Sequence, residues 1–134
     1  MRHSKLILAT LALASALTGC AGAIPKADPS EAWIGLHDGV PDAMIAKKVD
    51  GHSLQDGRYF DVKPGAHQLS VMLFDVHNAN ENDNCSGNLS YSGFNAGQHY
   101  SLTETRRGPQ VGVQLTDAHG KALAAVTDMS CEPS

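Results

Sequence analysis

The sequence predicts an all-β fold, a small antiparallel β-sandwich of about seven or eight strands. Two observations carry this prediction. Where the chain is patterned, apolar residues recur with a period of two and not 3.6. Turn signals rich in Gly, Asp, Asn and Pro then cut the chain into short runs at spacings of roughly 8–12 residues. At 134 residues, the chain has the length of one domain.

Taken in order, the first structured segment is Ala32-Trp33-Ile34-Gly35-Leu36, which holds the single tryptophan. Trp33 is expected to pack on a core or an edge. Asp42 to Lys48 is ambiguous. Ala43-Met44-Ile45-Ala46 suits a helix start, whereas Val49-Asp50-Gly51 suits a strand ending in a turn. Further turns are expected at Gln55-Asp56-Gly57, Lys63-Pro64-Gly65, Asn95-Ala96-Gly97 and Asp117-Ala118-His119-Gly120. Leu69, Val71 and Leu73 alternate with Gln68, Ser70 and Met72, and Met72, Phe74 and Val76 thicken the second face. This reads as a central strand covered on both sides for part of its length. Leu89 and Tyr91 alternate with serines, as do Tyr100 and Leu102 with Ser101 and Thr103. Val111, Val113 and Leu115 alternate with Gln110, Gly112, Gln114 and Thr116, the pattern of a half-buried strand. Asp75 to Asn84 is polar, crowded with turn formers and without period, and it is expected to be a long exposed loop ending at Cys85.

The N-terminus carries a different kind of signal. Met1-Arg2-His3-Ser4-Lys5 is basic, and an apolar run from Leu6 to Leu17 follows. This is the layout of an export signal, too short to remain as a spanning helix of about 20 residues. Leu17-Thr18-Gly19-Cys20 resembles the lipobox of bacterial lipoproteins. The resemblance implies diacylglycerol on the Cys20 thiol, cleavage by signal peptidase II between Gly19 and Cys20, and acylation of the new amine. The expected organisation is therefore a leader over 1–19, a lipidated flexible tether over 20–31 and a β-sandwich over 32–134. An ordinary secretory signal cut near Ala21-Gly22-Ala23 is the alternative. Two or three acyl chains anchor firmly, at about 0.8 kcal/mol per buried CH₂. Ala21, where sorting signals place Asp, implies the outer membrane facing the periplasm.

Losing Arg2 and Lys5 with the leader takes the net charge from −4 to −6. Such a surface gives no electrostatic reason to bind nucleic acid or anionic lipid, so the membrane contact is assigned to the lipid. Of the three cysteines, Cys20 is committed to lipid by the resemblance. In an oxidising compartment the remaining pair, Cys85 and Cys131, most simply forms a disulfide; free thiols or half a metal site are the alternative.

Val49-Asp50-Gly51, Gly57 and Val62-Lys63-Pro64-Gly65-Ala66-His67-Gln68-Leu69-Ser70-Val71 together resemble the PEGA type of small β-sandwich module. There a strand ends in a V-D-G turn and a P-G-x-H-x-L-x-V hairpin follows. The glutamate of the name-giving motif is absent here, since Gly65 directly follows Pro64. Ala96-Gly97-Gln98-His99-Tyr100 and the stretch from Val111 to Val126 are similar to uncharacterised proteobacterial lipoproteins that carry such a module. The resemblance implies a binding or scaffold domain of the cell envelope and supplies no catalytic residues.

Six of the seven histidines lie beyond the leader: His37, His52, His67, His77, His99 and His119. They lack the H-x-H or H-x₃-H spacing of a local metal pair, and they are expected to be solvated or turn residues. His67 and His77 share a parity on one predicted strand, but ten residues of strand separate them by about 33 Å. Asn78, Asn80, Asn82 and Asn84 with Asp75, Glu81 and Asp83 offer oxygens at alternate positions. The glycine and terminal glutamate of an EF-hand loop are missing. The chain has no G-x-S-x-G elbow and no G-x-x-x-x-G-K-[ST] or G-x-G-x-x-G loop. Arg106-Arg107 beside Gly108-Pro109 reads as a solvated basic hairpin tip.

The sequence-level expectation is thus a non-enzymatic lipoprotein without cofactor, catalytic residue or metal. Its membrane contact is the lipid on Cys20, and its partner is an envelope protein or the cell wall. Two other readings stand beside it. One is an inhibitor or immunity lipoprotein against a cell-wall hydrolase such as lysozyme. Ser92-Gly93 with Tyr100 echoes the Ser-Gly…Tyr loop of such inhibitors at a different spacing. The other is a periplasmic metal-binding lipoprotein that uses the histidines and the loop from Asp75 to Asn84.

Overall fold

The computed structural model describes residues 22–37, 43–78 and 81–133, with side chains left out at 75, 77, 78, 81 and 82. The leader, the lipobox-like Leu17–Cys20 and Ala21 lie outside the described residues. Ten strands make two five-stranded sheets, and among the described residues there is no helix. The strands are β1 (Ala32–His37), β2 (Ala43–Val49), β3 (His52–Ser53), β4 (Tyr59–Val62) and β5 (Gly65–Asn78). They continue with β6 (Glu81–Phe94), β7 (His99–Arg107), β8 (Gln110–Thr116), β9 (Ala122–Val126) and β10 (Ser130–Pro133). One sheet has the order β4-β1-β7-β8-β9 and the other β10-β6-β5-β2-β3. The all-β sandwich and its single Cys85–Cys131 disulfide are as the sequence predicts, with more strands than expected.

The period of two locates the core. Leu69, Val71 and Leu73 of β5 point inward, as do Val111, Val113 and Leu115 of β8. Ile34, Phe60, Leu89, Phe94 and Leu102 complete the filling, each almost fully removed from water. Burying one such side chain contributes roughly 1.5–3 kcal/mol. Tyr91, Phe94 and Tyr100 interlock edge to face at one end, with Phe94 4.9 Å from Tyr91 and 5.1 Å from Tyr100 between centroids.

One open reading is decided and three expectations need revision. Ala43–Val49 is strand β2, the second of the two readings, and the two-residue Asp50-Gly51 turn leads into β3. Both turn residues have positive φ, 49° and 80°, which is the Asp-Gly hairpin geometry that matches strand twist.

Asp75 to Asn84 is not a long loop. β5 and β6 pair out to Asn78 and Glu81, and the described residues of this stretch belong to these two strands. It lacks apolar alternation because its residues are mostly polar and a register shift interrupts the period before the buried Val76.

The shared parity of His67 and His77 is broken as well. The register shifts between Leu73 and Val76, and Val76 is buried where strict alternation would expose it.

Nor is the sandwich purely antiparallel. β1 pairs β4 antiparallel and β7 parallel. These two partners lie far apart in sequence, so no tight hairpin dictates the direction of the second pairing.

The disulfide joins directly opposed residues of β6 and β10, with Cα atoms 4.0 Å apart. It closes a separation of 46 residues, which the chain-entropy model values at about 4 kcal/mol. All four residues of β10 are exposed, so apolar burial contributes little there. The backbone ladder with β6 and the covalent bond, and not apolar packing, hold β10 to the sheet.

Candidate functional site around Tyr91

The polar side chains singled out in the sequence collect at the end of the sandwich that holds the aromatic cluster. Asp50 occupies the first turn position after β2, and the turn aims its carboxylate across the sheet at β5. Oδ1 accepts the Gln68 amide at 2.8 Å, and Oδ2 lies 2.6 Å from His67 Nδ1. The Asp50 amide in turn donates to the Gln68 carbonyl at 2.9 Å. The other ring nitrogen of His67, Nε2, sits 2.7 Å from the Lys63 carbonyl oxygen in the turn before β5. The V-D-G and P-G-A-H segments are therefore bound to each other through the Asp50 carboxylate and the His67 ring. The Gln68 amide, followed by the His67 contact, holds the Asp50 carboxyl below the ordinary aspartate value.

His67 stands opposite Tyr91 in the β5–β6 ladder. Asp50, His67, Tyr91 and the exposed Ser90 and Ser92 line a shallow cleft of about 400 Å³. Gly93 lies under the Tyr91 ring, where a Cβ would come within 2.9 Å of the phenol oxygen. On its other flank Tyr91 lines a second cleft, of about 310 Å³, with Gln98, His99, Asp117 and His119. Asp117 organises the β8–β9 turn. Its Oδ1 accepts the amides of His119 at 2.9 Å and Lys121 at 3.0 Å, and these bonds lower its pKa, the Lys121 bond most. Tyr91 thus divides two surface hollows of mixed polar and aromatic lining.

No family model matches the chain, and no curated protein or solved structure matches it. The site therefore has to be read from its own chemistry.

The remaining histidines do not join it. His37 ends β1 and His52 lies on β3, both exposed. His77 lies near the end of β5, with its side chain outside the described residues. Among the described residues no group of three or more His, Cys, Asp and Glu comes together as a metal site would require. Tyr100, the tyrosine of the inhibitor-like echo, is buried; its hydroxyl accepts the Asn95 amide at 2.9 Å and so braces the β6–β7 turn. Arg106 is engaged by Glu104 at 2.6 Å, whose side chain is only 6% exposed, so the basic tip is partly a packed ion pair. Trp33 stacks on Tyr59 across β1 and β4, with centroids 4.3 Å apart and planes 11° from parallel.

Sequence reasoning did not identify Tyr91 as the centre of this region, nor the bond from Asp50 to His67. A usable signal existed for the second. An Asp-Gly hairpin turn beside a strand that opens with histidine sets a short acid against an imidazole. For Tyr91 alternation reveals burial but not which end of the sheet it occupies.

Proposed function

We propose that the chain is an envelope lipoprotein, anchored through Cys20, whose β-sandwich acts as a non-enzymatic binding module. The double engagement of His67 supports a structural and not a catalytic role for that residue. Nδ1 faces a carboxylate and Nε2 faces a backbone carbonyl. A general base needs one free ring nitrogen within reach of a substrate proton, and this imidazole has none. The Asp50–His67 pair is a brace between two turns. The binding reading is supported by the two clefts beside Tyr91, where exposed polar groups border an aromatic ring. The anchoring rests on Leu17-Thr18-Gly19-Cys20.

Two measurements test the proposal. Cys20→Ser is expected to leave the sandwich folded and to move the protein out of the membrane fraction. Retention there after a high-salt wash would overturn the anchor. A photo-crosslinking residue placed at Ser92 or His99, beside Tyr91, is expected to trap the same envelope component in cells. The same probe at Arg107, on the β7–β8 hairpin, should not trap it. Identical adducts from all three positions, or none from the cleft positions, would overturn the binding reading.

A further inference from the structure

The outer face of the β10-β6-β5-β2-β3 sheet carries a hollow on a different surface from the Tyr91 clefts. It has a volume of about 470 Å³, larger than either cleft beside Tyr91. We propose that this hollow is a binding site for a phosphate-type oxyanion, held by Lys47, Lys48, Ser86, Asn88 and Ser130, with Ser70 orienting the Asn88 amide.

The first support is backbone geometry. The β2–β5 register shifts between Ala46 and Lys48, so Lys47 is the extra residue of a β-bulge. In a regular strand two consecutive side chains point to opposite faces. The bulge removes that constraint, and Lys47 and Lys48 are both exposed and both line the hollow. Two ammonium groups are thereby brought to one place on a chain whose net charge is −4.

The second support is the chemistry of the remaining wall. Lys48, Ser70 and Asn88 lie abreast on β2, β5 and β6. Ser70 Oγ donates to Asn88 Oδ1 at 2.7 Å. That bond occupies the acceptor end of the amide and leaves its NH₂ as the free end, a donor. One row further along, Met72, Ser86 and Ser130 lie abreast on β5, β6 and β10. The lining therefore offers two cations, an amide donor and hydroxyls, and none of the residues lining it is acidic. Glu132, two positions beyond Ser130 on β10, is paired with Asn84 and does not line the hollow. Lysine acts on phosphate as a mobile point charge, and hydroxyl and amide donors supply the directional bonds.

The third support is the disulfide. Cys85–Cys131 is the register neighbour of the Ser86–Ser130 pair. It fixes the β10 wall of a site that weak edge packing alone would leave loose.

The oxyanion could arrive on a lipid headgroup or on a soluble phosphorylated sugar, and one set of titrations separates these sources. The full chain, in detergent, is titrated with inorganic phosphate while backbone amide NMR shifts are followed. Saturable shifts are expected at Lys47, Lys48, Ser70, Ser86, Asn88 and Ser130, and they should weaken as sodium chloride rises. The Lys47→Gln/Lys48→Gln double variant should bind at least about tenfold more weakly, since charge-assisted contacts are lost. Lys121→Gln, on the β8–β9 turn, should bind as the parent does. Because Lys47 and Lys48 are exposed, the double variant should retain the parent spectrum away from the hollow. Glycerophosphoglycerol, a soluble headgroup, and glucose 1-phosphate are then compared. Tighter binding of the first assigns a lipid, and tighter binding of the second a soluble sugar phosphate. Shifts spread evenly over all lysines, no saturable shift, or unchanged binding by the double variant would each overturn the proposal.

Discussion

The carboxylate of Asp50 and the ring of His67 meet at 2.6 Å across two strands that are separated by the β3 and β4 segments in sequence. Three turns or strand starts depend on this meeting: the Asp50-Gly51 hairpin, the Gln68 amide and the Lys63 carbonyl. Asp50→Ala removes both acceptor oxygens and places alanine at a φ of 49°, which disfavours it. Asp50→Asn keeps an acceptor for Gln68 and tolerates that φ. The expected order of melting temperatures is parent, then Asp50→Asn, then Asp50→Ala. His67→Ala should fall below the parent. Should Asp50→Ala melt with the parent, the brace contributes nothing.

Acid should act through the turn aspartates. In the folded chain Asp50 and Asp117 ionise below their ordinary value of 3.8, Asp50 through the Gln68 amide and Asp117 through the Lys121 amide. A depressed folded value favours the ionised native state. Their contribution is therefore fully present above the unfolded value and is lost as pH falls through the folded one. Glu31 has the opposite sign. Partial burial first, then contact with Asp61, raises it above 4.5, so its contribution is present below that value and is lost as pH rises through the folded one. Urea midpoints across pH 2 to 7 should decline below about pH 4, and the decline should be shallower in Asp50→Asn and Asp117→Asn. Glu31→Gln, which mimics the protonated form, should match or exceed the parent at neutral pH.

Two glycines of the β4-β1-β7-β8-β9 sheet should respond in opposite ways to alanine. At Gly112 a Cβ would lie 2.2 Å from the Val126 carbonyl oxygen and 3.1 Å from Thr127 Cα, so the β9 backbone would have to move. At Gly35 the nearest atom, His37 Nε2, is 3.7 Å away, an ordinary contact. Gly112→Ala should cost about 1–3 kcal/mol. Gly35→Ala should be neutral or slightly stabilising, because alanine restricts the unfolded chain. Equilibrium urea unfolding of both variants decides the matter, and equal effects would contradict the geometry.

Reduction should loosen one edge and lower the whole. Closing a separation of 46 residues is worth about 4 kcal/mol in the chain-entropy model. The Cys85→Ala/Cys131→Ala variant should lose a large part of that figure in urea unfolding. Its amide exchange should accelerate first in β10, which has no buried face of its own. Protection of β10 equal to the parent's would show that packing holds the strand.

How much of this was legible follows from what burial writes into a sequence. Val111, Val113 and Leu115, or Leu69, Val71 and Leu73, face one core, and their alternation records it directly. Among the described side chains from Asp75 to Asn84 only Val76 is buried, and it follows a register shift, so the ladder left no pattern and turn-forming residues dominated the reading. The short β3 has no apolar residue to announce it. The parallel contact of β1 with β7 is a long-range pairing, and local patterning carries no direction. Of the Tyr91 region, the individual histidines were visible, but their grouping depends on which turns lie at the same end. The Lys47–Lys48 pair carried no local signal, because a bulge is a property of the ladder and not of one strand.

The parallel pairing of β1 also has a mechanical meaning. β1 is hydrogen-bonded on both sides, to β4 and to β7, and it is the first strand among the described residues. Force applied along its axis from the N-terminal segment would load both ladders together in shear and would not unzip them one bond at a time. At β10 a load would instead meet the covalent Cys85–Cys131 bond beside a short ladder.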